Sequence, residues 1–408
     1  MDNIFARTPW WRAAGVLDRF IASLAEAELG RLRPGRPPGM VSVDADLAAD
    51  LGADSLELMA FTATLSEVLQ LPQAAMLDGL LTDTHLASWT AITATALEAA
   101  RPQALCFRTS GSAGAPKSCL HRLDSLWQEV AALATLFPGR RRVVSFVPAH
   151  HIYGFLFTVL LPQALGGVEV VAGRGRVAAG VWQSLQAGDL VIGFPEVWQA
   201  ALAGAGGLAD DVVGVSSTAP CPDPLATALT QAGLARLVQV YGSSESAGVG
   251  WRESAAAPYR CFPYWQRAPA DAPVLERAMP DGSRQVFRLQ DRLSWQDDAH
   301  FLPAGRIDEA VQVGGVNVFP ERVAEILRRH PQVVDVAVRL MRPDEGARLK
   351  AFIAVATEAA SEHLLTGQLE ALAREHLQAA ERPAAYTFGA ALPRQRNGKL
   401  ADWLIDLA

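Results

Sequence analysis

The residues of this chain that could do chemistry are gathered in a few short stretches. The first runs from Thr109 to Lys117 as Thr-Ser-Gly-Ser-Ala-Gly-Ala-Pro-Lys. Thr109, Ser110 and Ser112 bring hydroxyls, Gly111 and Gly114 leave the backbone without Cβ atoms, and Lys117 brings a cation. Such a loop lets backbone N–H groups and hydroxyl donors approach a polyphosphate closely. A Walker-type loop needs glycine directly before its Lys-Ser pair, but Pro116 precedes Lys117 and Ser118, so that reading fails. For this stretch alone, a surface turn rich in serine and glycine remains the alternative.

Three further stretches follow in order: Tyr241-Gly242-Ser243-Ser244-Glu245, Gly305-Arg306-Ile307-Asp308 and Leu392-Pro393-Arg394-Gln395-Arg396-Asn397-Gly398-Lys399. With the glycine loop they resemble the ordered motifs of the adenylate-forming superfamily, which includes acyl-CoA synthetases, peptide-synthetase adenylation domains and luciferases. The resemblance covers Leu105 to the C-terminus. It implies an enzyme that uses ATP and Mg²⁺ to activate a carboxylic acid. The carboxylate attacks the α-phosphate, giving an acyl-adenylate and pyrophosphate, and a thiol then takes the acyl group. Catalysis of this kind consists mainly of positioning and electrostatic stabilisation.

The resemblance also implies a part for each residue. Thr109, Ser110, Gly111, Ser112, Gly114 and Lys117 match the loop around the β- and γ-phosphates, with Ala113 where a threonine is usual. Glu245 matches the metal-binding glutamate, Tyr241 the adenine site, Gly242 a further ATP-binding position, and Ser244 a hydroxyl donor to the α-phosphate. Asp291 matches the aspartate that grips the ribose hydroxyls, although Gln290 precedes it in place of glycine, and Arg306 is expected to reach the nucleotide. Lys399 matches the lysine that bridges the carboxylate and α-phosphate oxygens, and Asp308 the hinge about which the small domain turns. His151, within Pro148-Ala149-His150-His151-Ile152-Tyr153-Gly154, matches a residue beside the carboxylate substrate; a structural histidine in a turn is the alternative. Phe194, Ser217 and Thr218 are candidate walls of the acid pocket.

Certain functions are disfavoured by composition. The 408 residues carry a net charge of −7, which gives no long-range attraction to nucleic acid or an anionic membrane. Arg140-Arg141-Arg142 is the only dense basic run, and it reads as a solvated loop before a strand. Four cysteines, Cys106, Cys119, Cys221 and Cys261, lack ligand spacing, so neither a disulfide framework nor a zinc site is expected. No apolar run approaches the ~20 residues of a membrane span, and a cytoplasmic location is expected.

The elements that must position these residues can be read from periodicity. Apolar residues at Val16, Leu17, Phe20, Ile21, Leu24 and Leu29 predict a helix that ends before Pro34. Asp54 and Glu57 could form a capping box opening a second helix, and two shorter helical stretches follow up to Ala99. This segment resembles an acyl carrier protein, in which the serine of Asp54-Ser55-Leu56 would carry phosphopantetheine; an ordinary helix-start serine is the alternative. Apolar runs at Val143 to Val147, Val168 to Val171, Leu190 to Ile192, Val212 to Val215 and Leu237 to Val240 alternate with helical or loop stretches, which predicts an α/β sheet with covered faces. After Arg306 the pattern predicts a small α+β domain, with helices at Val318 to His330 and Glu362 to Ala379 and strands at Val333 to Leu340 and Leu349 to Val355. The expected fold class is therefore α/β: an adenylate-forming fold with a shortened large N-terminal domain, a small α+β C-terminal lid and an N-terminal carrier-like helical segment. The expected domains are the carrier-like segment at 1–100, the adenylation core at 101–305 and the mobile lid at 306–408.

A short adenylating core behind carrier-like helices resembles the ligases of aryl-polyene and xanthomonadin-type pigment pathways. That narrower resemblance implies activation of a hydroxybenzoate or coumarate-like acid and its transfer to the phosphopantetheine of an acyl carrier protein. Two alternatives stand beside it: an aryl- or acyl-CoA ligase using free CoA, and a non-catalytic binding protein on a decayed adenylation fold.

Overall fold

The computed structural model describes residues 9–33, 39–72, 77–80, 82–109, 117–175, 178–203, 208–254, 256–268, 274–307, 310–342, 344–355, 362–394 and 400–405. A 3₁₀ turn, Trp10–Arg12, leads into helix α1 (Val16–Leu32), whose buried residues include the six apolar positions at helical spacing. Helix α2 (Ser55–Leu69) opens on the anticipated capping box. Asp54 Oδ1 accepts from the Glu57 N–H at 2.9 Å, and Glu57 Oε2 accepts from the Asp54 N–H at 3.1 Å. Short α3 (Leu77–Leu80) and longer α4 (Leu86–Ala100) follow.

These helices do not keep their apolar faces to themselves. Phe20, Phe61, Trp89 and Leu97 belong to the same buried cluster as Phe107, Phe155 and Leu190 further along the chain. Each such side chain withdrawn from water stabilises the fold by ~1.5–3 kcal/mol. The carrier-like helices thus contribute directly to the core beneath the sheet.

Strands β1 (Ala104–Thr109) and β2 (Lys117–Arg122) pair antiparallel, with Thr109 opposite Lys117. Then α5 (Leu123–Leu136) leads into the alternating part of the chain: β3 (Arg142–Ser145), α6 (Ile152–Phe155), a π-helical turn at Leu156–Leu160, α7 (Leu161–Ala164), β4 (Glu169–Ala172), α8 (Ala178–Gln183), β5 (Asp189–Gly193), α9 (Pro195–Ala203), β6 (Val213–Ser216), α10 (Asp223–Gln231) and β7 (Arg236–Ser243). β3 to β7 run parallel, as their apolar runs predict. Their faces are covered on both sides: Val143 enters one core cluster and Val144 the other.

Antiparallel strands that the sequence pattern did not reveal extend the sheet. They are β8 (Ala247–Arg252) and β9 (Tyr259–Cys261), followed by the separate three-stranded sheet of β10 (Trp265–Arg267), β11 (Val274–Ala278) and β12 (Arg284–Arg288). With β13 (Asp291–Trp295) and β14 (His300–Arg306) the large sheet has nine strands in the order β13-β14-β9-β8-β7-β6-β5-β3-β4.

The remaining elements are β15 (Val311–Val313), β16 (Val316–Val318), α11 (Pro320–Leu327), β17 (Val333–Leu340), β18 (Leu349–Val355), α12 (Glu362–His376), a 3₁₀ turn at Ala379–Glu381 and β19 (Ala385–Gly389). The helix expected from Val318 starts two residues later, because Val318 pairs with Val311 in the β15–β16 hairpin. The chain divides into two compact units: Met1–Thr109, Lys117–Leu289 and Leu293–Ala304 form the first; Ser110–Pro116, Gln290–Arg292 and Gly305–Ala408 form the second. The second has its own core, in which Val323 and Leu327 of α11 and Leu365 and Leu369 of α12 cover Val336, Ala351 and Ile353.

The basic run before β3 is not a solvated loop. Arg142 lies within β3 and its guanidinium pairs with buried Asp189 at 2.7 Å, while Arg140 is bound to Asp211 at 2.8 Å. No described helix is long and apolar enough to cross a membrane.

Candidate functional site

The site begins at the hairpin of β1 and β2. Pairing of Thr109 with Lys117 closes the two ends of the glycine stretch together. Ser110, Gly111, Ser112 and Gly114 lie outside the described residues, as does the Thr109 side chain. Period-two alternation along β2 turns Lys117, Cys119 and His121 to one side of the hairpin. Two of them meet the turn between β7 and β8. Lys117 Nζ donates to Glu245 Oε1 at 2.9 Å, and His121 Nε2 lies 2.7 Å from the Ser244 carbonyl.

Electrostatics keep this cluster defined. Burial raises the Glu245 carboxyl, but the Lys117 hydrogen bond and charge outweigh it, and its pKa falls below the usual value. Glu245 is therefore ionised at neutral pH. Burial pushes the His121 imidazole down to about 4, so the ring is neutral there. Cys119, between them, is pushed up to about 11 by burial and stays a thiol.

The turn itself depends on close backbone approach. A Cβ on Gly242 would lie 2.2 Å from the Ala247 carbonyl oxygen, so only glycine fits there. Ala247 adopts φ 59°, and the Ser243 and Ser246 hydroxyls meet at 3.1 Å. Tyr241 packs against Phe301 and Tyr259 with ring centroids 5.3 and 5.6 Å away, which orients its half-buried ring at the end of β7.

Carboxyl ends of parallel strands are where open α/β sheets take ligands, and the acid-pocket candidates collect there. The Tyr153 hydroxyl lies 2.9 Å from the Gly193 carbonyl and 3.3 Å from that of Val215, joining α6 to the ends of β5 and β6. Ser217 Oγ donates to the Val240 carbonyl at 2.8 Å, tying the loop after β6 to β7. Phe194 follows β5 and packs on the core from a half-buried position. His151 occupies the N-cap position of α6 and keeps exposed surface; desolvation by neighbouring protein atoms, with the Arg174 charge, lowers its pKa.

Thr218 is exposed and holds φ 72°, a conformation costly for a β-branched side chain. Thr218→Gly should therefore stabilise the protein by about 1 kcal/mol, the net of strain relieved and glycine's added freedom. A higher urea midpoint would register this, and an unchanged or lower one would show that the loop is unstrained.

The N-terminal helices bond to the segments that carry the candidate residues, contacts invisible in the sequence. Ser23 of α1 is 2.8 Å from His150 Nδ1, and Glu26 accepts from Arg174 at 2.6 Å. From α2, Thr64 accepts from Arg108 on β1 at 2.8 Å, and Glu67 accepts from Ser118 on β2. Ser55 begins α2, exposed beside Leu56, which is 69% exposed.

In the second unit, Arg306 Nη1 is 3.9 Å from Asp291 Oδ1, and the Ile307 N–H donates to the Gln290 carbonyl at 2.8 Å. Asp308 and Lys399 lie outside the described residues. An isolated bridge between Arg394 and Leu400 brackets the stretch that carries Lys399.

Sequence reasoning missed His121, Ser23, His150 and Arg174. Only His121 left a signal, the alternation of Lys117, Cys119 and His121.

Comparison with known proteins shows the family. The AMP-binding enzyme family matches residues 44–270, and the AMP-binding enzyme C-terminal domain matches residues 322–399. The chain is 36% identical over 388 residues to the 4-coumarate–CoA ligase of Halorhodospira halophila, covering 94% of this chain and 97% of that protein. It is 41% identical over 301 residues to the 4-coumarate–CoA ligase of Rhodobacter capsulatus, covering 73% and 74%. In fold it is similar to the amide bond synthetase of Marinactinospora thermotolerans, with a TM-score of 0.60, 19% identity and coverage of 94% and 92%. With the match running through the hairpin, the Glu245 turn and the small unit alike, the chain belongs to the AMP-binding enzyme family of acid–thiol ligases.

Proposed function

We propose that the protein activates an aromatic carboxylic acid of the hydroxycinnamate type with ATP and transfers the acyl group to the thiol of CoA. The observation that carries this reading is the near full-length similarity to proteins named 4-coumarate–CoA ligase. Those names favour free CoA over the carrier protein expected from the helical N-terminus. The site geometry supports the first half-reaction. Glu245 is ionised and partly exposed at the end of β7, next to a lysine that leaves the phosphate loop.

Mg²⁺ fits this donor set. No group of three or more metal-ligating side chains occurs among the described residues, and Mg²⁺ typically takes one or two carboxylates and completes its shell with phosphates and water. Glu245 would hold it, and the ion would neutralise charge on the phosphates. Lys117 and the loop from Thr109 would cradle the β- and γ-phosphates, Tyr241 and Gly242 would border the adenine, and the Ser244 hydroxyl would reach the α-phosphate. Asp291 and Arg306 would hold the ribose side of the nucleotide. His151, Phe194, Ser217 and Thr218 would line the acid, Lys399 would bridge carboxylate and α-phosphate, and Asp308 would serve as the hinge between half-reactions.

A second reading, transfer to a phosphopantetheine thiol as in the pigment-type ligases, rests on Ser55 being exposed at a helix start beside exposed Leu56. One experiment separates the two. ATP–pyrophosphate exchange is measured with hydroxycinnamates, hydroxybenzoates and fatty acids, then thioester formation with CoA and with a holo carrier protein. The expected outcome is exchange with hydroxycinnamates and thioester on CoA. Thioester on the carrier alone, or added phosphopantetheine mass on Ser55, would establish the second reading, and no exchange with any acid would refute both.

A further inference from the structure

Glu245 is carried by a turn that two buried side chains grip at either end. On one side His121, 5% exposed, reaches the carbonyl of Ser244, the residue immediately before Glu245. A carbonyl only accepts, so the hydrogen bond defines the tautomer: Nε2 carries the proton and donates. The ring edge is further confined by Phe107, with centroids 5.8 Å apart. On the other side Glu129 of α5, fully buried, accepts from the Gly248 N–H through Oε1 at 2.9 Å. Between them the Ser246 N–H donates to Ser243 Oγ at 3.2 Å, closing the turn upon itself.

The Lys117–Glu245 pair alone cannot hold this geometry. Its lysine side chain is 53% exposed, and exposed ion pairs constrain little. The His121 bond is buried, where an unmade bond is costly. We infer that His121 is a positioning residue for the metal–nucleotide complex: by fixing the Ser244–Glu245 peptide it presents the Glu245 carboxylate to the divalent cation on ATP. This rests on the reading of Glu245 as the metal-holding group.

The test uses the full-length protein without acid substrate, so that turnover plays no part. Mn²⁺ binding in the presence of ATP is followed by electron paramagnetic resonance for the wild type, Glu245→Gln, His121→Phe and His121→Gln, together with ATP binding in the absence of metal. Glu245→Gln should weaken Mn²⁺ binding by about tenfold or more. His121→Phe should weaken it by roughly 3- to 10-fold, without changing metal-free ATP binding. His121→Gln, whose amide N–H comes near the Nε2 position, should restore it to within about twofold. A merely structural role would lower metal-free ATP binding equally and would not be rescued by glutamine. Should His121→Phe fail to fold, His121→Asn, too short to reach the carbonyl, takes its place with the same expectation. Wild-type Mn²⁺ binding in the His121 variants beside a weakened Glu245→Gln would overturn this inference alone. Wild-type binding in Glu245→Gln would overturn the metal reading of Glu245 and this inference with it.

Discussion

Lys399→Ala should lower acid-dependent ATP–pyrophosphate exchange by about a hundredfold or more, the usual consequence of removing one preorganised donor worth ~3 kcal/mol in the transition state. Thioester formation from a preformed acyl-adenylate should persist, because that half-reaction no longer involves an α-phosphate in displacement. The described residues on either side of Lys399 are tied down. Arg394 bridges to Leu400, the Ala401 N–H donates to the Pro393 carbonyl at 2.9 Å, and buried Trp403 packs on Phe352 with centroids 5.7 Å apart. Exchange retained within tenfold would remove Lys399 from the chemistry.

Gly242→Ala should cost a comparable amount by a different route. The added Cβ would meet the Ala247 carbonyl oxygen at 2.2 Å and its carbon at 2.9 Å, both backbone atoms that cannot swing aside as a side chain would. The Ser243–Gly248 turn must then open, which moves Glu245 from Lys117 and Ser244 from His121. A displacement of ~1 Å in a catalytic constellation is enough for about a hundredfold loss. The strain should also lower global stability by ~1–3 kcal/mol. Exchange rates and urea unfolding measured together check both effects. A variant with normal exchange would show that the turn does not carry the site.

The two substitutions differ in how they could have been found. Lys399 is a candidate that the sequence itself offers, because the stretch from Leu392 to Lys399 resembles a superfamily motif. The necessity of glycine at 242 is not legible there, since its neighbour across the hairpin is fixed only when β7 and β8 pair with a shift of register at Tyr241 and Gly242. The same holds for the basic run at Arg140: its charges suggested solvent, yet Asp189 and Asp211, distant in sequence, take up two of its guanidiniums.

Sequence alone determined the helices with clear 3.6-residue spacing, the capping box of Asp54 and Glu57, the apolar parallel strands and the order of the chemical motifs. All of these are short-range patterns, written in residues a few positions apart. Tertiary structure decided what covers the motifs. The helices that resemble a carrier protein bury Phe20, Phe61 and Trp89 in the common core and bond through Ser23, Glu26, Thr64 and Glu67 to His150, Arg174, Arg108 and Ser118. No local pattern announces this, because a polar residue on a helix face looks the same whether it meets water or the active site. Only the packing together of segments 128 and 127 positions apart brings Lys117 to Glu245 and Ser23 to His150.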